Sequence, residues 1–233
     1  MLFQNIWKIL STPEYMGYIG QGFLHTLIIT VVSCFIGLIL GTIVALVKIA
    51  APQSKWLKIP NIICNVYTTV FRGTPVALQL FIMVFAVFAI PGFKVYAAIL
   101  TFGINSGAYV SENIRAGIQS VDKGQMEAGR ALGLPWKKTM IKVIFPQAIK
   151  NVIPAIGNEM IALLKETSII SWVGATVGTL TFDLNAAAGT LNVKIVDYLA
   201  SGIVVGLCYL AIVYLMILGI KLLERRLRAS DKR

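Results

Sequence analysis

EAGRALGLPWKKTMIKVIFPQ, residues 127–147, interrupts a chain that is otherwise apolar, and its reading decides the fold. Residues 125–132 can form about two helical turns. Gly133 is placed to end them in a left-handed conformation, and Pro135 to open a second helix at its first turn. The second helix is expected to stop near Phe145, because Pro146 disfavours helical geometry in the residue before it. The product is a helix–turn–helix elbow with an apolar side, Leu132, Leu134, Met140, Ile141 and Ile144, and a basic side, Lys137, Lys138 and Lys142. A basic amphipathic helix can rest on acidic lipid headgroups, which accounts for the second helix. The first helix needs another explanation. Its small residues Ala128, Gly129, Ala131 and Gly133 let another backbone come close and suit the groove of a protein partner.

Working outward, 57% of the 233 residues are hydrophobic, 13% are charged, and the mean hydropathy is +0.79. Such a chain belongs in a bilayer. Its net charge of +11 borders apolar spans, where lipid headgroups and insertion orientation explain it better than nucleic acid does. Cys34, Cys64 and Cys208 lie singly in apolar runs, without the spacing of a metal site, and read as buried free thiols. The first 21 residues lack the layout of a removable signal peptide.

A helix needs roughly 20 apolar residues to cross the hydrocarbon layer. Residues 27–47 and 198–220 supply them without a charge, and the segments 95–119 and 148–172 are two further spans. Residues 59–93 are too long for one straight crossing and too short for two. We read them as one broken helix, with the break at Gly73 and Pro75. Five spans put the termini on opposite sides. Lys48, Lys55, Lys58, the basic residues from Arg115 to Lys150 and those of the C-terminal stretch KLLERRLRASDKR share one side, against Lys8, Lys94 and Lys194. The positive-inside bias puts that side, with the elbow and the C-terminus, in the cytoplasm and the N-terminus outside.

Glu127-Ala128-Gly129, three residues, Gly133, nine residues, then Val143-Ile144-Phe145-Pro146 resembles the EAA loop of bacterial ABC import permeases. FRGTPVALQLF (71–81), GAYVSENIRAGIQSV (107–121) and IGNEMIALLKETS (156–168) are similar to blocks of the polar-amino-acid uptake subfamily. Gly129, Val143 and Phe145 depart from the pattern but stay small or apolar. The resemblance implies an all-α integral membrane protein with five transmembrane helices and the type I importer, MetI-like, permease fold. It implies a single domain over residues 1–233, with a core at about 22–225 and a coupling loop at about 122–146. The partners implied are cytoplasmic ABC ATPase subunits, a second permease, an extracytoplasmic solute-binding protein and an amino-acid substrate. Glu127, Ala128, Gly129, Ala131 and Gly133 would couple to the ATPase. The chain contains no G-x-x-x-x-G-K-[ST] phosphate loop, so ATP and Mg would bind the partner, with no cofactor and no catalysis here.

Polar residues at membrane depth usually face a cavity or a partner. Glu159 falls near mid-depth, about 18 Å along a helix begun at Gln147. Asn158 and Lys165, and Glu159 and Glu166, are seven apart and mark adjacent stripes of one face. That face is either a substrate surface or a self-neutralising Glu–Lys pair. Arg72 and Thr74 flank the break, where Arg72 can meet a substrate carboxylate or an internal glutamate. Ser106 sits among the small residues Gly103, Gly107 and Ala108, which favour close helix packing, and can also reach a cavity. The candidate substrate set is therefore Arg72, Thr74, Ser106, Asn158, Glu159 and Lys165, while Glu112 with Arg115 reads as structural. The other readings are a nucleotide-independent carrier or channel, disfavoured by the lack of an inverted repeat, and a mere membrane anchor, which leaves Glu159 and Lys165 without purpose.

Overall fold

The computed structural model describes residues 1–229, with side chains described through residue 227; Lys232 and Arg233, counted above for orientation, lie outside the described residues. The described residues form helices and no strand. Helix α1 (Leu2–Ser11) ends at Thr12, and α2 (Pro13–Ala50) starts with proline at a position whose N–H has no partner in any helix. Two short 3-10 turns lead to α3 (Lys58–Gly73) and, past Thr74 and Pro75, to α4 (Val76–Ile82). After a π-turn at Met83–Val87 come α5 (Lys94–Gln119), α6 (Lys123–Ala131) and α7 (Trp136–Thr139). A second π-turn, Met140–Ile144, joins α7 to α8 (Phe145–Glu166). A 3-10 turn at Thr167–Val173, then α9 (Leu184–Ile195) and α10 (Tyr198–Ala229), complete the described chain.

Pro13–Gln53 and Tyr198–Leu227 are each long and apolar enough to cross a membrane, and Lys55–Gly73 with Val76–Val87 is a broken crossing bent by 107°. The other two crossings are α5 and α8, whose 26 and 22 residues reach about 39 and about 33 Å at 1.5 Å per residue. They tolerate polar residues because they run through the interior. Phe102, Asn105, Ser106, Ala108 and Val110 of α5 and Leu163 of α8 are almost wholly buried, whereas Leu207, Leu210, Leu215 and Leu222 of α10 are exposed to whatever surrounds the bundle.

The most extensive seam is α2 against α5. A Cβ on Gly41 would stand 2.7 Å from the Gly107 carbonyl, and one on Gly103 would stand 2.7 Å from Ile36, so small residues are required for this spacing. Close approach lets Ser33 Oγ donate to the Ile99 carbonyl at 3.1 Å, satisfying a buried hydroxyl without solvent. Three apolar clusters stack along the bundle. One joins Ile19, Leu184, Leu191 and Val204 at the α1 end, a second joins Ile29, Leu80, Phe102 and Leu163, and a third joins Ala45, Val110, Ile114 and Val152 toward the elbow.

The expected helix end before Pro146 does not occur. Phe145 stays helical at φ −59°, and α8 starts there directly from the π-turn. The turn widens the helix so that the Phe145 N–H donates to the Met140 carbonyl, five residues back, and Pro146 follows directly after this widened turn, where the regular helical ladder is already interrupted. The second limb of the elbow and the fourth span are one continuous helix.

Candidate functional site

The elbow is built by local rules. Asp122 opens α6, accepting from the Gly124 N–H at 2.6 Å. Gly133, at φ +79°, closes it: its N–H donates to Arg130 and that of Leu134 to Gly129, the paired bonds of a glycine-capped helix end. Pro135, extended at ψ 150°, then caps α7 from just outside it, one position earlier than expected. Gly129 is buried at the crossing of the two limbs, where an added Cβ would lie 2.4 Å from Thr139 Cγ2. The second alanine of the loop pattern is therefore replaced by glycine because Thr139 fills its place. Glu127, Ala128, Ala131 and Gly133 are exposed, and Leu132 is 81% exposed. The expected apolar side is divided. Ile144 is buried and borders, with Met140, Met126 and Ile118, a cleft of about 450 Å³, while Leu132 and Ile141 face outward. Lys137, Lys138 and Lys142 are all exposed.

At the break between α3 and α4 the freed backbone groups are met by side chains. Gln79 Nε2 donates to the Phe71 carbonyl at 2.9 Å, the Thr74 carbonyl at 3.0 Å and Thr74 Oγ1 at 2.8 Å. Asn105 Nδ2, from α5, donates to the Phe71 carbonyl and to Gln79 Oε1. Tyr67 adds a bond to the Ile104 carbonyl. The Thr74 hydroxyl itself donates to Val70, so it is committed to holding the bend. Proline removes the donor that would have continued the helix, and this amide pair replaces what was lost.

The six candidate substrate residues fall into two groups. Ser106 is fully buried, and across α5 and α8 its hydroxyl is in reach of the Glu159 carboxyl without the geometry of a complete hydrogen bond. Glu159 and Glu166 are half-buried on their stripe, and Asn158 and Lys165 are exposed on the next. Among the described residues Lys165 makes no ion pair with Glu159. Arg72 lies elsewhere, 3.9 Å from Glu112 and over the Tyr109 ring at 5.4 Å, beside the exposed Thr74. Glu112 is the hub of this second group: Lys48 reaches it at 2.6 Å and Arg115 at 2.6 and 2.9 Å. Around the hub opens a chamber of about 700 Å³ between α2, α3 and α5.

Among known families, the one described as "Binding-protein-dependent transport system inner membrane component" matches residues 37–229. The chain belongs to this family. The permease is 43% identical to the arginine transport system permease protein ArtQ of Bacillus subtilis over 95% of its own length and 97% of the relative's. It is 38% identical to the putative glutamine transport system permease protein GlnP of Rickettsia bellii, over 96% of its length and 99% of that protein's. Among solved structures, an amino acid ABC transporter crystallised with histidines aligns at a TM-score of 0.83 and 35% identity, over 94% of this chain and 98% of that one. The inward-facing MetNI methionine ABC transporter aligns at 0.76 and 21%, over 93% and 99%, which supports the MetI-like fold.

Sequence reasoning about the permease missed Gln79 and Asn105, although each was visible as a polar residue inside an apolar run. It also took Glu112 and Arg115 as a local pair. Their i,i+3 contact exists, but Arg72 from α3, for which an internal glutamate was one of two expected partners, and Lys48 from α2 join it from 40 and 64 positions away, and no helical period says which glutamate they meet.

Proposed function

We propose that this permease imports polar amino acids through the bacterial cytoplasmic membrane, paired with a second permease and driven by cytoplasmic ABC ATPases that grip the elbow. The observation that carries the reading is the helix that runs continuously, across the π-turn and past Pro154, from Trp136 to Glu166. Against one end, where Gly129 meets Thr139, packs α6 with the exposed ledge of Glu127, Ala128, Ala131, Leu132 and Gly133; the other end carries Asn158, Glu159 and Lys165. Movement imposed at the first must reach the second. The positive-inside bias supports an N-terminus outside and the elbow in the cytoplasm. The relatives named for arginine and glutamine transport support an amino-acid substrate, and the family's description as binding-protein-dependent supports its delivery by an extracytoplasmic binding protein.

In this reading Ser106, Asn158, Glu159 and Lys165 line the mid-depth path, and Arg72 and Thr74 form its rim at the break. Glu159 accepts from a substrate ammonium, and the buried Ser106 hydroxyl supplies a donor beside it. ATP and Mg bind the partner subunits. The test is reconstitution with the cognate ATPase and binding protein. Substrate-stimulated hydrolysis and uptake are expected, and Glu159→Gln should lower uptake while the complex still assembles. Uptake that persists without any ATPase would instead support a nucleotide-independent carrier. Unchanged uptake in the variant would return Glu159 to a structural role.

A further inference from the structure

We propose that the chamber around Glu112 is a second binding station, on the cytoplasmic side of the mid-depth path, that receives the carboxylate of an amino acid as it leaves. The inference rests on the transport reading above and adds a site to it. Three cations, Lys48, Arg72 and Arg115, meet a single carboxylate, Glu112, so the chamber carries a surplus of two positive charges. Glu112 is only 14% exposed and is already satisfied by Lys48 and Arg115, whereas Arg72 is 44% exposed and stands 3.9 Å away, beyond hydrogen-bond distance. Its guanidinium lies 5.4 Å over the Tyr109 ring and lines the chamber, where it offers a planar fork of donors. A carboxylate is the group such a fork takes bidentately.

The rest of the wall favours a small polar solute over a lipid phosphate. Asn61, Asn65, Thr68 and Thr69 of α3 line one side, and among the described residues the space is lined, Gly73 apart, by polar and charged side chains, which suit a small polar solute better than acyl chains. Arg72 closes α3 immediately before the break whose far side faces α4. A solute passing the break from mid-depth meets Arg72 first.

A cysteine placed at Thr69, in a background with Cys34, Cys64 and Cys208 replaced by alanine, would report on the chamber in the assembled complex in nanodiscs. The readout is the rate of modification by an anionic methanethiosulfonate reagent, without binding protein. We expect labelling about tenfold faster than by a cationic reagent of similar size, and slowed at least threefold by millimolar L-arginine or L-glutamine. Their α-amides, which lack the carboxylate, should not slow it. Arg72→Gln should abolish the protection and Arg72→Lys should keep part of it. Equal protection by acids and amides, or full protection in Arg72→Gln, would overturn the proposal. Uptake by the same reconstituted complex separates the two readings. Normal uptake with no protection removes only this station, and absent uptake of every amino acid removes the transport reading itself.

Discussion

Gly129→Ala would test whether the elbow works as a rigid unit. The new methyl lands 2.4 Å from Thr139 Cγ2 and 3.0 Å from its hydroxyl, inside a contact that is fully buried on the Thr139 side. Overpacking of this kind costs about 1–3 kcal/mol. Alanine returns up to about 1 kcal/mol through its better helix propensity, leaving a net strain of up to about 2 kcal/mol. The strain is relieved by opening the angle between α6 and α7, which moves the exposed ledge relative to α8. If about 1 kcal/mol of that cost is felt on docking, affinity for the ATPase falls about fivefold. Thr139→Ala removes both crowding atoms and leaves its Cβ 3.3 Å from the added methyl. The double variant should therefore bind within about twofold of the parent, a coupling of about 1 kcal/mol between neighbours. The assay is titration of detergent-solubilised permease with its ATPase across the four members of the cycle. Undiminished binding by Gly129→Ala, or a double variant no better than the single one, would refute the crossing as the determinant of elbow geometry.

Gly133→Val puts a β-branched side chain at φ +79°, a strain of at least about 1–2 kcal/mol with no neighbour to blame. The protein should still insert, and pull-down of the ATPase should fall sharply. Gln79→Leu leaves the Thr74 carbonyl short of its donor at the bend, at about 1–3 kcal/mol, while the Phe71 carbonyl keeps the bond from Asn105, and the variant should have a lower thermal midpoint in detergent. At the opposite end, the hydrogen bond from Asn5 holds the Asp197 carboxyl below its usual range, helped by the Ala200 N–H. The tether it gives α1 is complete above the ordinary aspartate value and is lost as pH falls through the lowered one. Hydrogen exchange of α1 amides should accelerate only at that acid end, and an Asn5→Ala variant should show the faster rate already at neutral pH.

The sequence made five crossings, the break and the elbow legible because each is written in local chemistry: apolar length, a Gly-x-Pro punctuation and a lysine count. Gly133 was readable for the same reason, since a left-handed helix end needs glycine whatever packs around it. Gly129 was not. Its cause is Thr139, ten positions on and across a turn, and only the crossing brings them together. Pro146 misled because the rule for the residue before proline assumes regular helix, and the π-turn at Met140–Ile144 suspends that assumption. The Glu112 hub escaped for a further reason: its four charges come from three helices whose register is set by the glycine seam between α2 and α5.

The π-turn matters beyond that correction. From Val152, where α5 grips the helix, to Glu159 is 7 residues, about 10 Å, so tilting the helix by about 10° about that point displaces Glu159 by about 2 Å. A displacement of that size exceeds the difference between a hydrogen bond and none. Stiffness is supplied on one flank, where Val152 packs against Gly117 of α5 so closely that a Cβ there would stand 2.4 Å away, and on the other, where Gly157 receives Ile220 of α10. These two notches fix the rod between the elbow and Glu159 as a pivot fixes a lever, and the widened turn lies on the elbow side of both. Filling the Gly157 notch should therefore block movement without touching either the ledge or the mid-depth carboxylates. Gly157→Leu should leave ATPase binding intact while severing hydrolysis from uptake, a phenotype that neither a docking defect nor a substrate-site defect produces.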